Sequence, residues 1–135
     1  MSRDFRKIEA YQLAIDLAER VYRTTKSYPK HEIFGIVSQM RRAAISIASN
    51  IAEGAVRRTI KDYLRFLYIA MGSLAELECQ IEISKRLGYL SENDHQEIEA
   101  LRNKTGGKLF RLIKFIENES QGLEVMRSCS RAVAG

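Results

Sequence analysis

Proline is almost missing from this 135-residue sequence, Pro29 being the only one, and tryptophan is absent. Aromatic residues make up 8% of the chain. So few helix breakers and so few bulky strand-favouring residues point to a helical protein. The two cysteines, Cys79 and Cys129, are too few for a disulfide framework. Cys129 also lies in an aperiodic region, so free thiols in a reducing compartment are expected. No apolar run approaches the roughly 18 residues of a membrane span, and the opening MSRDFRKIEA is too polar for a signal peptide. The expected location is cytoplasmic, with no membrane partner.

Catalytic chemistry is equally sparse. His31 and His95 are the only histidines, on different segments, with no cysteine at zinc-site spacing. Glu92 and His95 form an E-x-x-H, as in di-iron bundles, but the second histidine and the facing glutamates such a site needs are missing. Its place at a helix start makes Glu92 a partner of the helix dipole and His95 a surface residue. Ser46 and Ser49 have no nearby base, and no glycine-rich phosphate loop follows a strand. The expectation is a protein that is not an enzyme, with no catalytic residues, no metal and no cofactor.

What is present is a spacing of three and four between apolar residues. It runs through Ile8, Tyr11, Ile15, Ala18 and Tyr22, then Ile33, Val37, Met40, Ala44, Ile47 and Ile51. A third set is Tyr63, Leu67, Ala70, Leu74, Leu77 and Ile81, and a broader fourth is Ile98, Leu101, Leu109, Leu112, Ile113 and Ile116. Pro29 separates the first two segments, Gly54 ends the second and Gly88 the third. Thr59 with Asp62, and Ser91 with Asp94, have the spacing of a capping box. Gly106 and Gly107 inside the fourth segment read as a close helix contact, with a kink as the alternative. Short connections make neighbours antiparallel, so the fold class is all-α, an up-down-up-down four-helix bundle over residues 1–118. Residues 119–135 lose periodicity and read as a disordered tail.

The third segment carries a second apolar stripe, Leu64, Tyr68, Met71, Ala75 and Cys79, about 120° around the helix from the first. A stripe this long is rarely left in water, so it is the expected interface of a homo-oligomer. In the second segment, SQMRRAAISIASNIAEG, Arg42 falls on a polar stripe with Ser46, Ser49 and Glu53. Arg41 falls at the edge of the apolar face, where a half-buried guanidinium needs a carboxylate. The expected partners are Glu76 or Glu78, within the subunit or across an interface, with a solvated surface arginine as the alternative.

The net charge is +5 and the isoelectric point near 9.4. In an antiparallel bundle the charge gradients of the helices add. Arg3, Arg6 and Lys7, the Arg57–Arg58 turn, the start of the third helix and the end of the fourth meet at one pole. Gathering like charge costs stability, so Arg57, Arg58, Lys61, Arg65, Lys108, Arg111 and Lys114 are the candidate phosphate contacts for RNA or DNA. A merely solvated charged end is the alternative. No nucleic-acid motif and no aromatic ladder is present, so backbone and shape would be read rather than sequence.

The pattern Ser38-Gln39-x-Arg41-Arg42-Ala43, then Ser49-Asn50-Ile51-Ala52-Glu53-Gly54, then Gly72-Ser73-x-x-Glu76-Leu77 resembles the proteins encoded in intervening sequences of bacterial 23S ribosomal RNA genes. The resemblance runs from about Phe5 to residue 118. Two positions depart from it: Ala48, where many relatives have proline, and Val56, where a glycine before the arginine is common. The resemblance implies an up-down bundle and, in several relatives, a ring-shaped homopentamer. The chain is also similar to the accessory variability protein of diversity-generating retroelements, a basic pentamer that associates with a reverse transcriptase and nucleic acid. Expected partners are thus further copies of the chain, structured RNA or DNA, and a nucleic-acid-processing protein. An oligomeric protein-binding scaffold with no nucleic-acid role is the alternative.

Overall fold

The computed structural model describes residues 3–134. After a 3-10 turn at Phe5–Lys7, four α-helices follow: α1 Glu9–Thr25, α2 Ile36–Ala55, α3 Ile60–Arg86 and α4 Glu92–Ala134. Among the described residues there is no strand. Two starts are capped as their spacing predicts. Thr59 Oγ1 accepts the Asp62 N–H at 3.1 Å and Ser91 Oγ accepts the Asp94 N–H at 3.1 Å. The end of α3 is closed by Gly88 at φ +76°, with Gly88 N–H donating to Lys85 O and Tyr89 N–H to Ser84 O. This is a Schellman closure, and it needs a residue that tolerates the left-handed region.

Cross-helix pairs fix the directions. Lys108 meets Glu9 and Arg20 meets Glu97, so α4 runs against α1. Ser46 bonds Ser73 and Met40 Sδ accepts from Ser84, so α3 runs against α2. Glu78 pairs with Arg102 and Tyr68 with Glu117, so α4 also runs against α3. Arg41 reaches Thr25 at one end while Arg3 N–H reaches Ala55 O at the other, so α1 and α2 are antiparallel too. The result is an up-down-up-down four-helix bundle.

Each helix gives the core its large side chains: Leu17 and Val21, then Met40, Ile47 and Ile51, then Tyr63, Leu67, Leu77 and Ile81, then Ile98, Leu109 and Ile116. A fully buried side chain of this size contributes roughly 1.5–3 kcal/mol. Helix α2 and α3 follow the expected stripes, Ile33 apart. That residue precedes α2, in the connection after Pro29, and is 53% exposed.

Helix α1 differs. Its buried apolar residues are Ala10, Ala14, Leu17 and Val21, while Ile15 and Tyr22 from the expected stripe are exposed. Two alanines let α1 lie close to its neighbours, and close approach outweighs the larger apolar side chains on the adjacent face. Gly54 does not end α2; the helix runs to Ala55, and Gly54 is a buried contact with α3. Gly106 is likewise a close contact, since a Cβ there would sit 3.0 Å from Leu74 Cδ2, whereas Gly107 faces open space. In place of a loose tail after residue 118, α4 continues as a helix to Ala134, with residues 121–131 all exposed. No proline interrupts it, and each added residue extends an existing hydrogen-bonded helix without a new nucleation step.

Candidate nucleic-acid interface

The α2–α3 corner carries three cations in five residues, Arg57 and Arg58 in the turn and Lys61 in the first turn of α3. It is held by packing beneath it. A Cβ on Gly54 would lie 2.9 Å from Phe66 Cβ and 2.9 Å from Tyr63 Cδ1, so the glycine lets the two helices close against each other. On the outside, the guanidinium groups of Arg57 and Arg65 both lie over the Phe66 ring, at 4.6 and 4.5 Å from its centroid. These contacts orient the arginines without neutralising them.

Arg58, Thr59, Ile60 and Lys61 form one wall of a cleft of about 440 Å³. The other wall is α4, through Ser120, Leu123, Glu124 and Arg127. Among the described residues Arg57, Arg58, Lys61 and Arg127 take part in no ion pair. Arg3, at the same end, pairs with Glu119 and sits over the Tyr63 ring. Towards the far end carboxylates are matched, Glu82 by Arg86 and Glu97 by Arg20. The first turn of α3, with its free N–H groups, adds a fixed positive potential at the cleft.

The expected set of seven cations is therefore divided. Arg57, Arg58 and Lys61 stand together at the pole, with Arg65 one turn along α3 and bound to Asp62 at 3.3 Å. Lys108 lies farther down the bundle, 2.6 Å from Glu9, where its hydrogen bond and then its charge hold the Glu9 carboxyl below the usual range. Arg111 is exposed on that same flank, and its charge also lowers the Glu9 carboxyl. Lys114 is 3.7 Å from Glu117 and lies over the Phe110 ring. Arg127 was missed because its segment was read as a tail; the absence of any proline after Pro29 was the signal that α4 could carry it into the cleft.

Within the subunit Arg41 does not pair with Glu76 or Glu78. Its Nε donates to Thr25 Oγ1 at 3.0 Å and its guanidinium lies over the Tyr22 ring at 4.6 Å. Glu78 pairs instead with Arg102, which also binds Glu99 at 2.9 Å. Arg102 is a buried cation. Arg42 is exposed, as its polar stripe implies.

From the second stripe of α3, Met71 and Ala75 line a groove against α4. Leu64 and Met71 are half-buried; Tyr68, Ala75 and Cys79 are exposed. Among the described residues no three histidine, cysteine, aspartate or glutamate side chains converge as a metal site would require. Nor is any helix long and apolar enough to cross a membrane.

Residues 6–111 match the model of a family described as 23S rRNA-intervening sequence protein. Among curated proteins none matches the chain. One similar solved structure is the 1.70 Å crystal structure of a protein of unknown function from the S23 ribosomal protein family of Bacteroides thetaiotaomicron VPI-5482. It shares 22% identity at a TM-score of 0.70, covering 78% of this chain and 98% of that one. At this identity the likeness is one of fold.

Proposed function

Because the chain belongs to the 23S rRNA-intervening sequence protein family, we propose that it is a non-enzymatic, homo-oligomeric bundle that binds structured RNA through its basic pole. The observation that carries the reading is that Arg58, Lys61 and Arg127 line one cleft, with Glu124 as its carboxylate and Arg57 in the adjoining turn, and that among the described residues these four cations take part in no ion pair. Unneutralised charge gathered in one place costs folding free energy and is compensated when phosphates occupy it. The cleft presents charged groups and no stacking ladder, so the phosphate backbone is the part of the ligand it suits. Assembly into a ring, a homopentamer in this reading, would multiply the pole several-fold and turn weak contacts into avid ones.

Fluorescence anisotropy with a structured RNA and a duplex DNA, at several salt concentrations, tests this. Each phosphate contact contributes about 0.9 to the slope of log affinity against log salt on duplex DNA. Replacing Arg58, Lys61 and Arg127 with glutamine should lower that slope by about 2–3 and weaken binding equally across sequences. Replacing Lys108 should change little, since Glu9 already takes its charge. Weak binding that these substitutions leave unchanged would favour the protein-binding scaffold, for which exposed Phe34, Phe110 and Phe115 would be the contacts.

A further inference from the structure

The α2–α3 side of the bundle carries a second cleft, of about 440 Å³, lined by Gln39, Arg42, Ala43, Ser46, Glu76 and Gln80. Two segments singled out in the sequence, Ser38–Ala43 and Gly72–Leu77, meet here, and the basic pole uses neither. The Arg57–Arg58 turn is about 20 Å away along α2 at 1.5 Å per residue. One end of the cleft is closed by a small polar network. Ser46 Oγ and Ser73 Oγ lie 2.8 Å apart, and Asn50 Nδ2 donates to Ser46 Oγ at 3.0 Å and to Ser46 O at 2.8 Å. Because α2 and α3 are antiparallel, that contact sets Arg42 level with about residue 77 and Gln39 level with about residue 80. Arg42 therefore faces Glu76 across the cleft, and Gln39 faces Gln80.

Three groups of this cleft have no partner within the chain. Arg42 and Glu76 take part in no ion pair among the described residues, although they carry opposite charges on facing walls. Gln80 is 8% exposed, and its Oε1 is buried with no hydrogen-bond partner. An acceptor left in that condition costs stability, so it favours a ligand that brings an N–H group. The charges narrow the ligand further. An anion alone is repelled by the Glu76 carboxylate, and a cation alone by the Arg42 guanidinium. A neutral ligand leaves both charges without a counterpart. A molecule that carries both charges satisfies the two walls together.

We propose that the cleft binds a small zwitterion, a free α-amino acid with a polar side chain. Its carboxylate is held by Arg42, whose guanidinium offers two parallel N–H donors. Its ammonium is held by the Glu76 carboxylate and donates to Gln80 Oε1 as that amide turns towards it, so the orphaned acceptor gains its partner. Gln39 and Ser46 are left for the ligand's side chain, and Ala43 adds only a methyl group as apolar surface. A polar side chain fits that lining better than a branched aliphatic or aromatic one. The site is separate from the basic pole and depends on neither the RNA reading nor the homo-oligomer.

Titration calorimetry and heteronuclear NMR of the full chain with L-glutamine, L-asparagine and L-serine test this. Expected is saturable binding of at least one of them, with a dissociation constant of about 1 mM or below, as suits a ligand of this size. The NMR shifts should centre on Gln39, Arg42, Ser46, Glu76 and Gln80. Two analogues of L-glutamine isolate the charges: 4-carbamoylbutanoate lacks the ammonium and L-glutaminamide lacks the carboxylate. Each should bind at least tenfold more weakly than the parent amino acid. Arg42→Gln and Glu76→Gln should each weaken amino-acid binding at least tenfold; both residues are exposed, so circular dichroism of the variants should match the parent. In Glu76→Gln the analogue without the ammonium should bind as well as L-glutamine does, a change that a merely structural role for Glu76 would not produce. No saturable binding of any of the three up to about 20 mM would overturn the proposal. So would tighter binding of guanosine in the same cleft, or shifts centred on Arg58, Lys61 and Arg127 at the basic pole.

Discussion

Gly54 is where the α2–α3 corner allows least change. The two nearest contacts that a new Cβ would make are at 2.9 Å and a third, to Tyr63 O, is at 3.2 Å; Phe66 Cβ is fixed to the backbone, so the clash cannot be relieved by a side-chain rotation. Gly54→Ala should cost about 1–3 kcal/mol, as overpacking in a closed core does. Urea unfolding will read this as a lower midpoint at unchanged slope. The shift would also disturb Phe66, over which Arg57 and Arg65 lie. The glycine could be picked out by eye, yet its spacing suggested only a helix end. What it does depends on the distance between two helices, which no local pattern encodes. Arg41 is similar: its place at the edge of the apolar face was legible, but Thr25 and Tyr22 become its partners only because α1 packs there.

Among the elements, α3 is the one whose boundaries the sequence states most fully. Thr59 caps it, Gly88 closes it, and its core stripe is buried from Tyr63 to Ile81. Gly88→Ala would force an L-residue to φ +76° and should cost roughly 1–2 kcal/mol. Thermal unfolding followed by circular dichroism measures this; a stability equal to the parent's would show that the α3–α4 connection can adopt another closure. Helix α1 is the contrary case. It has apolar residues on two adjacent faces, and which one is buried depends on how closely α2 and α4 approach. Ala10 and Ala14 permit the closer fit, so the face with less apolar bulk is the buried one. Helix α4 shows a third behaviour. Its periodicity fades where packing ends, but a helix needs no partner to be continued by residues of fair propensity.

For the whole molecule, acid stability should reflect Arg102, which ties α3 to α4. Its hydrogen bonds hold the Glu99 carboxyl below the usual carboxylate range, and Lys108 does the same for Glu9. A carboxyl lowered in the folded state contributes stability that is complete above its unfolded value of about 4.3 and is lost as pH falls through the folded value. Urea midpoints should therefore fall below about pH 4.5, and Arg102→Met should flatten that dependence by removing the Glu99 share. Near neutral pH the same substitution should cost about 1.5–3 kcal/mol, because Arg102 is buried and its bonds are to charged groups. A pH profile identical to the parent's would mean that Glu99 contributes nothing to folding.

Sequence alone determined the helical class, the four segments, the caps at Thr59 and Ser91, and most of the core of α2 and α3. Those features depend on neighbours within one or two turns, where spacing and residue type act directly. It also placed Arg57, Arg58 and Lys61 at one end, because an antiparallel order fixes which turns lie together. Only the tertiary structure decided which face of α1 is buried, which charges are already paired, and that α4 carries Arg127 into the cleft. These outcomes depend on distances between residues far apart in the chain. Such distances follow from packing small against large side chains, and that is settled only when all four helices close on one core.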